Sequence, residues 1–156
     1  VLSGGGARGA YEAGVIAGIV EILEERGHRR APFSIFTGTS VGAINATWLA
    51  AHADRPDMNV SGLLDQWRSL DLREHLRISP MRFLRPSRSG EQLGRSFIDP
   101  RALEDLVRTQ IPFRRLHDNV DRGVVQALVV AALNIASTKT TMFAEVAPTA
   151  RFVRVP

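Results

Sequence analysis

Cysteine is absent from the 156 residues. This excludes a disulfide scaffold, a thiol nucleophile and any thiolate-ligated zinc or iron–sulfur site, and it leaves the redox compartment undecided. Lysine is nearly absent: Lys139 is the only one, so arginine carries the basic side of the +4 net charge. A nucleic-acid binder clusters its basic residues on one face. Here they are spread, and no nucleic-acid partner is expected. No apolar run reaches the roughly 18 residues that a membrane-crossing helix requires; the longest candidates are 123–136 and 41–51. No set of His, Asp and Glu has metal-ligand spacing, so neither a metal nor a cofactor is expected. Repeats and low-complexity tracts are missing as well.

What is present suits one domain of ordinary size with a real core: 44% of the residues are hydrophobic. The length is short for a complete α/β hydrolase. Val1-Leu2 reads as the tail of a strand already under way, and 151–155 as another strand ending at Pro156. Residues 1–156 are therefore read as the N-terminal part of one larger domain, truncated at both ends, and export by an upstream signal peptide stays open.

Along the chain, the strand at Val1-Leu2 leads into Ser3-Gly4-Gly5-Gly6-Ala7-Arg8-Gly9 and then a helix to about Arg26. Tyr11, Val15, Ile16, Ile19, Val20, Ile22 and Leu23 follow helical spacing, and Gly27 suits the C-terminal stop. Ala10, Gly14 and Gly18 form a small-residue face expected to approach a sheet closely. Phe33 to Thr37 is a short apolar strand. Val41 to His52 is apolar almost all round, as a buried helix is. Leu63, Leu64, Trp67 and Leu70 mark a further amphipathic helix. Residues 72–98 are arginine-rich and broken by Pro80, Pro86 and Gly90; a helix capped by Asp99-Pro100 follows and ends at Ile111-Pro112. Segment 124–135 is β-rich but ambiguous on periodicity alone, and 140–146 looks like a strand, the two joined around Ser137-Thr138-Lys139. The βαβα order predicts a parallel sheet covered by helices.

Two constellations carry chemistry. Gly4-Gly5-Gly6-Ala7-Arg8-Gly9 lies between a strand and a helix, where successive backbone N–H groups at a helix N-terminus make an anion site. It satisfies G-x-G-x-x-G, but the second strand ends Phe36-Thr37-Gly38, without the acid that a dinucleotide site places there. A P-loop also fails, since no Gly-Lys-Ser/Thr follows. The second constellation, Gly38-Thr39-Ser40-Val41-Gly42, is G-x-S-x-G between a buried strand and a buried helix, the context of a nucleophile elbow. Ser40 alone would also suit a plain helix N-cap. The glycine loop weighs against that, because neighbouring parallel strands bring both loops to the same sheet edge.

Together, Leu2 to Ala10 and Gly38-Thr39-Ser40-Val41-Gly42-Ala43-Ile44-Asn45-Ala46 closely resemble the patatin-like phospholipases. The resemblance implies a three-layer α/β/α fold with a mostly parallel central sheet, and a serine lipid acyl hydrolase using a Ser–Asp dyad. On that scheme Ser40 is the nucleophile, Gly38 and Gly42 form the elbow, and Gly4, Gly5, Gly6, Ala7, Arg8 and Gly9 form the oxyanion hole. Arg8 would support an anionic intermediate or a lipid phosphate. The family's aspartate lies in an Asp-Gly-Gly or Asp-Gly-Ala motif, and this chain has no Asp-Gly pair. The aspartate is expected beyond Pro156.

Asp118 and Asp121 read as solvated turn residues, and His28, His52, His75 and His117 as surface residues. The expected partner is a phospholipid or another lipid ester, with peripheral membrane contact through 72–98 as one reading of its arginines and a solvated loop or small helical cap over the acyl pocket as the other. An activator stays open. The place of work is expected to be the cytoplasm or a membrane periphery, and the arginine-for-lysine bias is associated with GC-rich bacteria. A non-catalytic lipid-binding or interaction module with the same fold is the alternative, and a dinucleotide-binding domain a weaker one.

Overall fold

A computed structural model describes residues 1–6, 8–30, 32–69, 107–134 and 136–151. The arginine-rich segment 72–98, the Asp99-Pro100 cap, Ala7 and the strand expected at 152–155 lie outside the described residues. The elements are α1 (Arg8–Glu25), β1 (Ile35–Thr39), α2 (Val41–Ala51), α3 (Val60–Ser69), α4 (Phe113–Asp121), β2 (Ala127–Asn134) and β3 (Lys139–Val146).

β1 is central. On one side Leu2 forms a parallel bridge to Gly38, its N–H donating to Thr37 O at 2.8 Å and its carbonyl accepting from Thr39 N at 3.2 Å. On the other side β2 runs parallel to β1, in register from Ile35 with Ala127 to Thr39 with Ala131. Both neighbours bond as far as Thr39, which carries the strand two residues past Thr37, where the apolar pattern stops.

The sheet is mixed rather than mostly parallel, because β3 returns antiparallel along β2, from Ala127 with Val146 to Asn134 with Lys139. A connection confined to 135–138 can close only a hairpin; a parallel return needs a long crossover. Asn134 Oδ1 shapes the turn by accepting from the N–H groups of Ala136 and Ser137 at 3.0 and 3.1 Å.

Side-chain alternation gives the sheet two faces. Phe36, Gly38 and Leu128 are buried towards α2. The opposite face leaves Ile35 60% exposed, Leu133 62% and Met142 68%. The described residues thus supply an α/β fold with one helical layer plainly on the sheet.

α2 is buried from Val41 to Ala51 except at Ala43 and Ile44, as its all-round apolar pattern predicts. α1 matches less well. Ile16 and Val20 enter the core with Ala13 and Gly9, whereas Tyr11, Val15, Ile19 and Ile22 are 74, 42, 40 and 49% exposed. The first three border an open apolar groove of about 340 Å³ with Leu2, Phe33 and Ile35. The small-residue face does not meet a sheet: a Cβ added at Gly14 or Gly18 touches nothing within 4 Å among the described residues. The helix ends as Gly27 predicts. At φ +81° its N–H donates to Glu24 O at 2.9 Å, while His28 N–H donates to Leu23 O at 2.9 Å, the paired bonds of a Schellman cap.

α4 replaces the turn expected around Asp118 and Asp121. Its inward residues are Leu116, Asn119 and Val120; Asp118 and Asp121 are exposed on its outer face. Three inward positions are too few to announce a helix, and Pro112, read as a stop, stands at its N-cap.

Candidate active site

Ser40 joins the C-terminal end of β1 to the first turn of α2. Its backbone lies at φ 56°, ψ −128°, a conformation that L side chains rarely adopt. Such a residue costs about 1–3 kcal/mol and persists only where its surroundings over-determine it. The surroundings here are backbone. A Cβ at Gly38 would run into Gly42 O, and would lie 2.6 Å from Ala43 N. A Cβ at Gly42 would sit 2.5 Å from Leu2 O and 2.6 Å from Ser3 O. Gly38 therefore lets β1 pass its own following helix, and Gly42 lets the first strand lie against the elbow.

Ser40 occupies the N-cap position of α2, yet its hydroxyl makes no capping hydrogen bond. Only its carbonyl serves the helix, accepting from Ala43 N at 2.9 Å. The hydroxyl is thus exposed at the edge of the sheet, at the positive end of a helix dipole.

The glycine loop touches this serine. A Cβ at Gly4 would lie 3.0 Å from Ser40 Cβ and 3.8 Å from Ser40 Oγ. Gly5 and Gly6 follow at φ +143° and +58°, and their carbonyls accept from Arg8 N and Gly9 N at 3.3 and 3.0 Å to open α1. Among the described residues, the N–H groups of Gly4, Gly5 and Gly6 donate to no protein acceptor. The Arg8 side chain folds back over Gly5, where an added Cβ would meet Nη2 at 2.8 Å and Cζ at 2.9 Å. It makes no ion pair among the described residues. The loop that meets Ser40 through Gly4 thus runs on through Gly5 and Gly6 to the N-terminus of α1, with the Arg8 guanidinium over Gly5, while Ser40 itself stands at the N-terminus of α2.

The histidines stand elsewhere. His52, expected at the surface, is 5% exposed at the far end of α2. Its ring lies 4.5 Å from that of Trp48, and its Nδ1–H donates to Trp48 O at 2.9 Å. Burial lowers its pKa and keeps it neutral, against the opposing pull of that carbonyl. At 1.5 Å per residue α2 holds it about 18 Å from Ser40. His117 is on α4, paired with Glu145 of β3 at 2.6 Å; that hydrogen bond raises its pKa. His28 is exposed, and His75 lies outside the described residues.

Asp121 precedes β2, which runs parallel to β1. It is therefore at the opposite sheet edge from Ser40, a strand length or about 16 Å away. Among the described residues no group of three His, Asp or Glu side chains is placed to hold a metal ion, and no helix is long and apolar enough to cross a membrane.

Ser3 and Asn45 stand inside the two family-like stretches and Trp67 on the α3 stripe, but nothing in the sequence assigns any of them, or Glu12, a role at the site. Asn45 is fully buried in α2; its Nδ2 donates to Gly9 O at 3.0 Å and its Oδ1 accepts from Trp67 Nε1 at 2.9 Å. Ser3 donates through N and Oγ to Glu12 Oε1 at 2.8 and 2.7 Å. The one visible signal was a lone amide in an otherwise apolar helix, which must find partners.

The family model described as Patatin-like phospholipase matches residues 1–154. The chain belongs to the patatin-like phospholipase family. No curated protein and no solved structure matches it significantly. The match spans both glycine-bearing turns.

Proposed function

We propose that this patatin-like chain is a serine lipid acyl hydrolase, with Ser40 as nucleophile and the Gly4–Gly9 loop as oxyanion hole. The observation that carries the reading is the seating of Gly4 against Ser40, with the loop's amides unbonded. In the reaction, Ser40 Oγ attacks the ester carbonyl carbon while its proton passes to a base. The carbonyl π pair moves onto oxygen, and that oxyanion takes hydrogen bonds from the loop amides. Each such donor is worth about 3–4 kcal/mol in comparable sites. The C–O bond to the alcohol breaks, the alcohol leaves with the proton, and water then cleaves the acyl-serine by the same steps. Arg8 adds charge beside the oxyanion or a lipid phosphate.

The base in this reading is an aspartate beyond residue 156, since the 156 residues hold no Asp-Gly pair. The apolar sheet face bearing Ile35 and Met142 supports a second helical layer, hence the three-layer arrangement. The substrate is a phospholipid or another lipid ester. The test is covalent labelling of the full-length protein by a fluorophosphonate, beside Ser40→Ala. Labelling and ester hydrolysis lost together in the variant are expected. Folded protein that labels in neither form supports the second reading, a lipid-binding module without a base, which the missing Asp-Gly pair favours.

A further inference from the structure

Asn45 has no obvious reason to be in α2. The helix is otherwise apolar at its buried positions apart from Thr47, and a buried amide is unfavourable unless all its groups are paired. Nor does Gly9 O need it: that carbonyl lies in the first turn of α1, where the helix ladder already supplies the N–H of Ala13. The bond from Asn45 is a second one on the same oxygen. Its effect is positional rather than compensatory.

What it positions follows from the neighbours of Gly9. This residue is wedged between Trp67 and Val41: an added Cβ would lie 2.5 Å from Trp67 Cζ2 and 3.1 Å from Val41 Cγ2. Val41 is the residue after Ser40. On the loop side, Gly9 N–H donates to Gly6 O at 3.0 Å. Trp67, Asn45, Gly9 and Gly6 thus form one hydrogen-bonded chain from α3 through α2 into the glycine loop. The other end of the loop is held separately, by Ser3 on Glu12, and Glu12 belongs to α1 itself. Among these bonds only that of Asn45 ties the loop's helix to the helix that carries the serine.

We propose that Asn45 is a positioning residue: it sets the distance between the glycine-loop amides and Ser40, and Trp67 fixes which way its amide points. The inference rests on the reading of Ser40 as nucleophile and of the loop as its oxyanion hole. Asn45→Ala removes the tie. Trp67→Phe removes the N–H together with the outer part of the indole that packs on Gly9, while it keeps an aromatic ring in α3. Asn45→Asp keeps the acceptor for Trp67 but, when ionised, has nothing to donate to Gly9 O; when protonated it can donate again.

The experiment is steady-state hydrolysis of a soluble p-nitrophenyl ester by the full-length protein and its Asn45→Ala, Asn45→Asp, Trp67→Phe, Leu63→Ala and Ser40→Ala variants. Leu63, buried in α3 and 2% exposed, controls for lost stability alone. Expected are a 10- to 100-fold fall in kcat for Asn45→Ala with KM within about threefold, since misplaced donors weaken the transition state selectively. Trp67→Phe should show a smaller fall of the same kind, and Asn45→Asp a kcat that recovers towards acid pH relative to wild type. Leu63→Ala should keep its kcat. If Asn45→Ala does not fold, Trp67→Phe and Asn45→Asp carry the test. Wild-type kcat in both, or an equal loss in Leu63→Ala, overturns the positioning role while Ser40→Ala is inactive. An active Ser40→Ala variant overturns the underlying reading instead.

Discussion

Gly4 and Ser40 meet without a side chain between them: a Cβ placed on Gly4 would lie 3.0 Å from Ser40 Cβ and 3.2 Å from Thr39 O. Gly42 approaches the same strand from the other side, within 2.5 Å of Leu2 O for an added Cβ. The two glycines hold the first strand and the elbow together from opposite directions, and they should fail differently when substituted.

At Gly4 the space is tight but a shift of a few tenths of an ångström relieves it, and its φ is not one that L residues avoid. Gly4→Ala should therefore fold, with the loop pushed off the serine. A drop in kcat of about tenfold is expected with little change in stability, since catalysis responds to sub-ångström misplacement. At Gly42 the obstacle is backbone carbonyl oxygen, which cannot rotate away. Gly42→Ala should lose about 1–3 kcal/mol or more of stability, as overpacking does. Urea denaturation beside ester hydrolysis separates the two outcomes; a Gly42→Ala protein as stable as wild type would contradict the packing argument.

His52 makes stability depend on pH in one direction. Its folded pKa is lowered, by burial first, from the unfolded 6.5. Unfolded chains therefore bind the proton more readily, so the contribution of the neutral ring is present above the unfolded value and is lost as pH falls. His117 acts oppositely: its hydrogen bond to Glu145 raises its pKa, so its contribution is present below 6.5 and is lost as pH rises through the folded value. In a His117→Gln background, stability by urea denaturation should fall between about pH 7.5 and about pH 5.5. Adding His52→Gln should flatten that fall. An unchanged slope would mean that His52 is not neutral in the folded protein.

The parts of this site that could be read along the chain are those in which the constraint is local. Gly38 stands two before Ser40 because the backbone of Gly42 and Ala43 leaves no room for a Cβ there, and such crowding leaves its mark within five residues. The Gly27 cap and the all-apolar α2 are legible for the same reason. Gly42, in contrast, is crowded by the distant Leu2 and Ser3 and is legible only through the spacing of the pentapeptide. Asn45 is different: its partners Gly9 and Trp67 lie 36 and 22 residues away, so only the fold makes the amide meaningful. α4 escaped because its inward side is short and includes Asn119. His52 escaped because the ring is buried against Trp48, a contact that a residue at a helix end does not advertise. The outward Tyr11, Val15 and Ile19 show the converse, an apolar face whose spacing predicts burial that the described residues do not supply.

Asn119 offers the last test, at the end of α2 remote from Ser40. It is 1% exposed, and its Nδ2 donates to Ala50 O and Ala51 O at 3.0 and 3.2 Å. Those carbonyls belong to the last turn of α2, where the ladder of i→i+4 bonds runs out; Ala50 O also accepts from Ala53 N at 3.3 Å. Beside it, Arg115 grips Asp54 through two bonds of 2.9 and 2.7 Å, so α4 caps α2 by a buried amide and a bidentate ion pair together. Asn119→Ala removes the amide and leaves a void; a loss of about 1–3 kcal/mol is expected. Because α2 places this cap about 16 Å from Ser40, the folded variant should retain wild-type kcat and KM. Urea denaturation and ester hydrolysis on one preparation decide it. A fall in kcat at full folding would mean that α2 transmits strain from its C-terminus to the elbow, and that the nucleophile depends on how both ends of its helix are held.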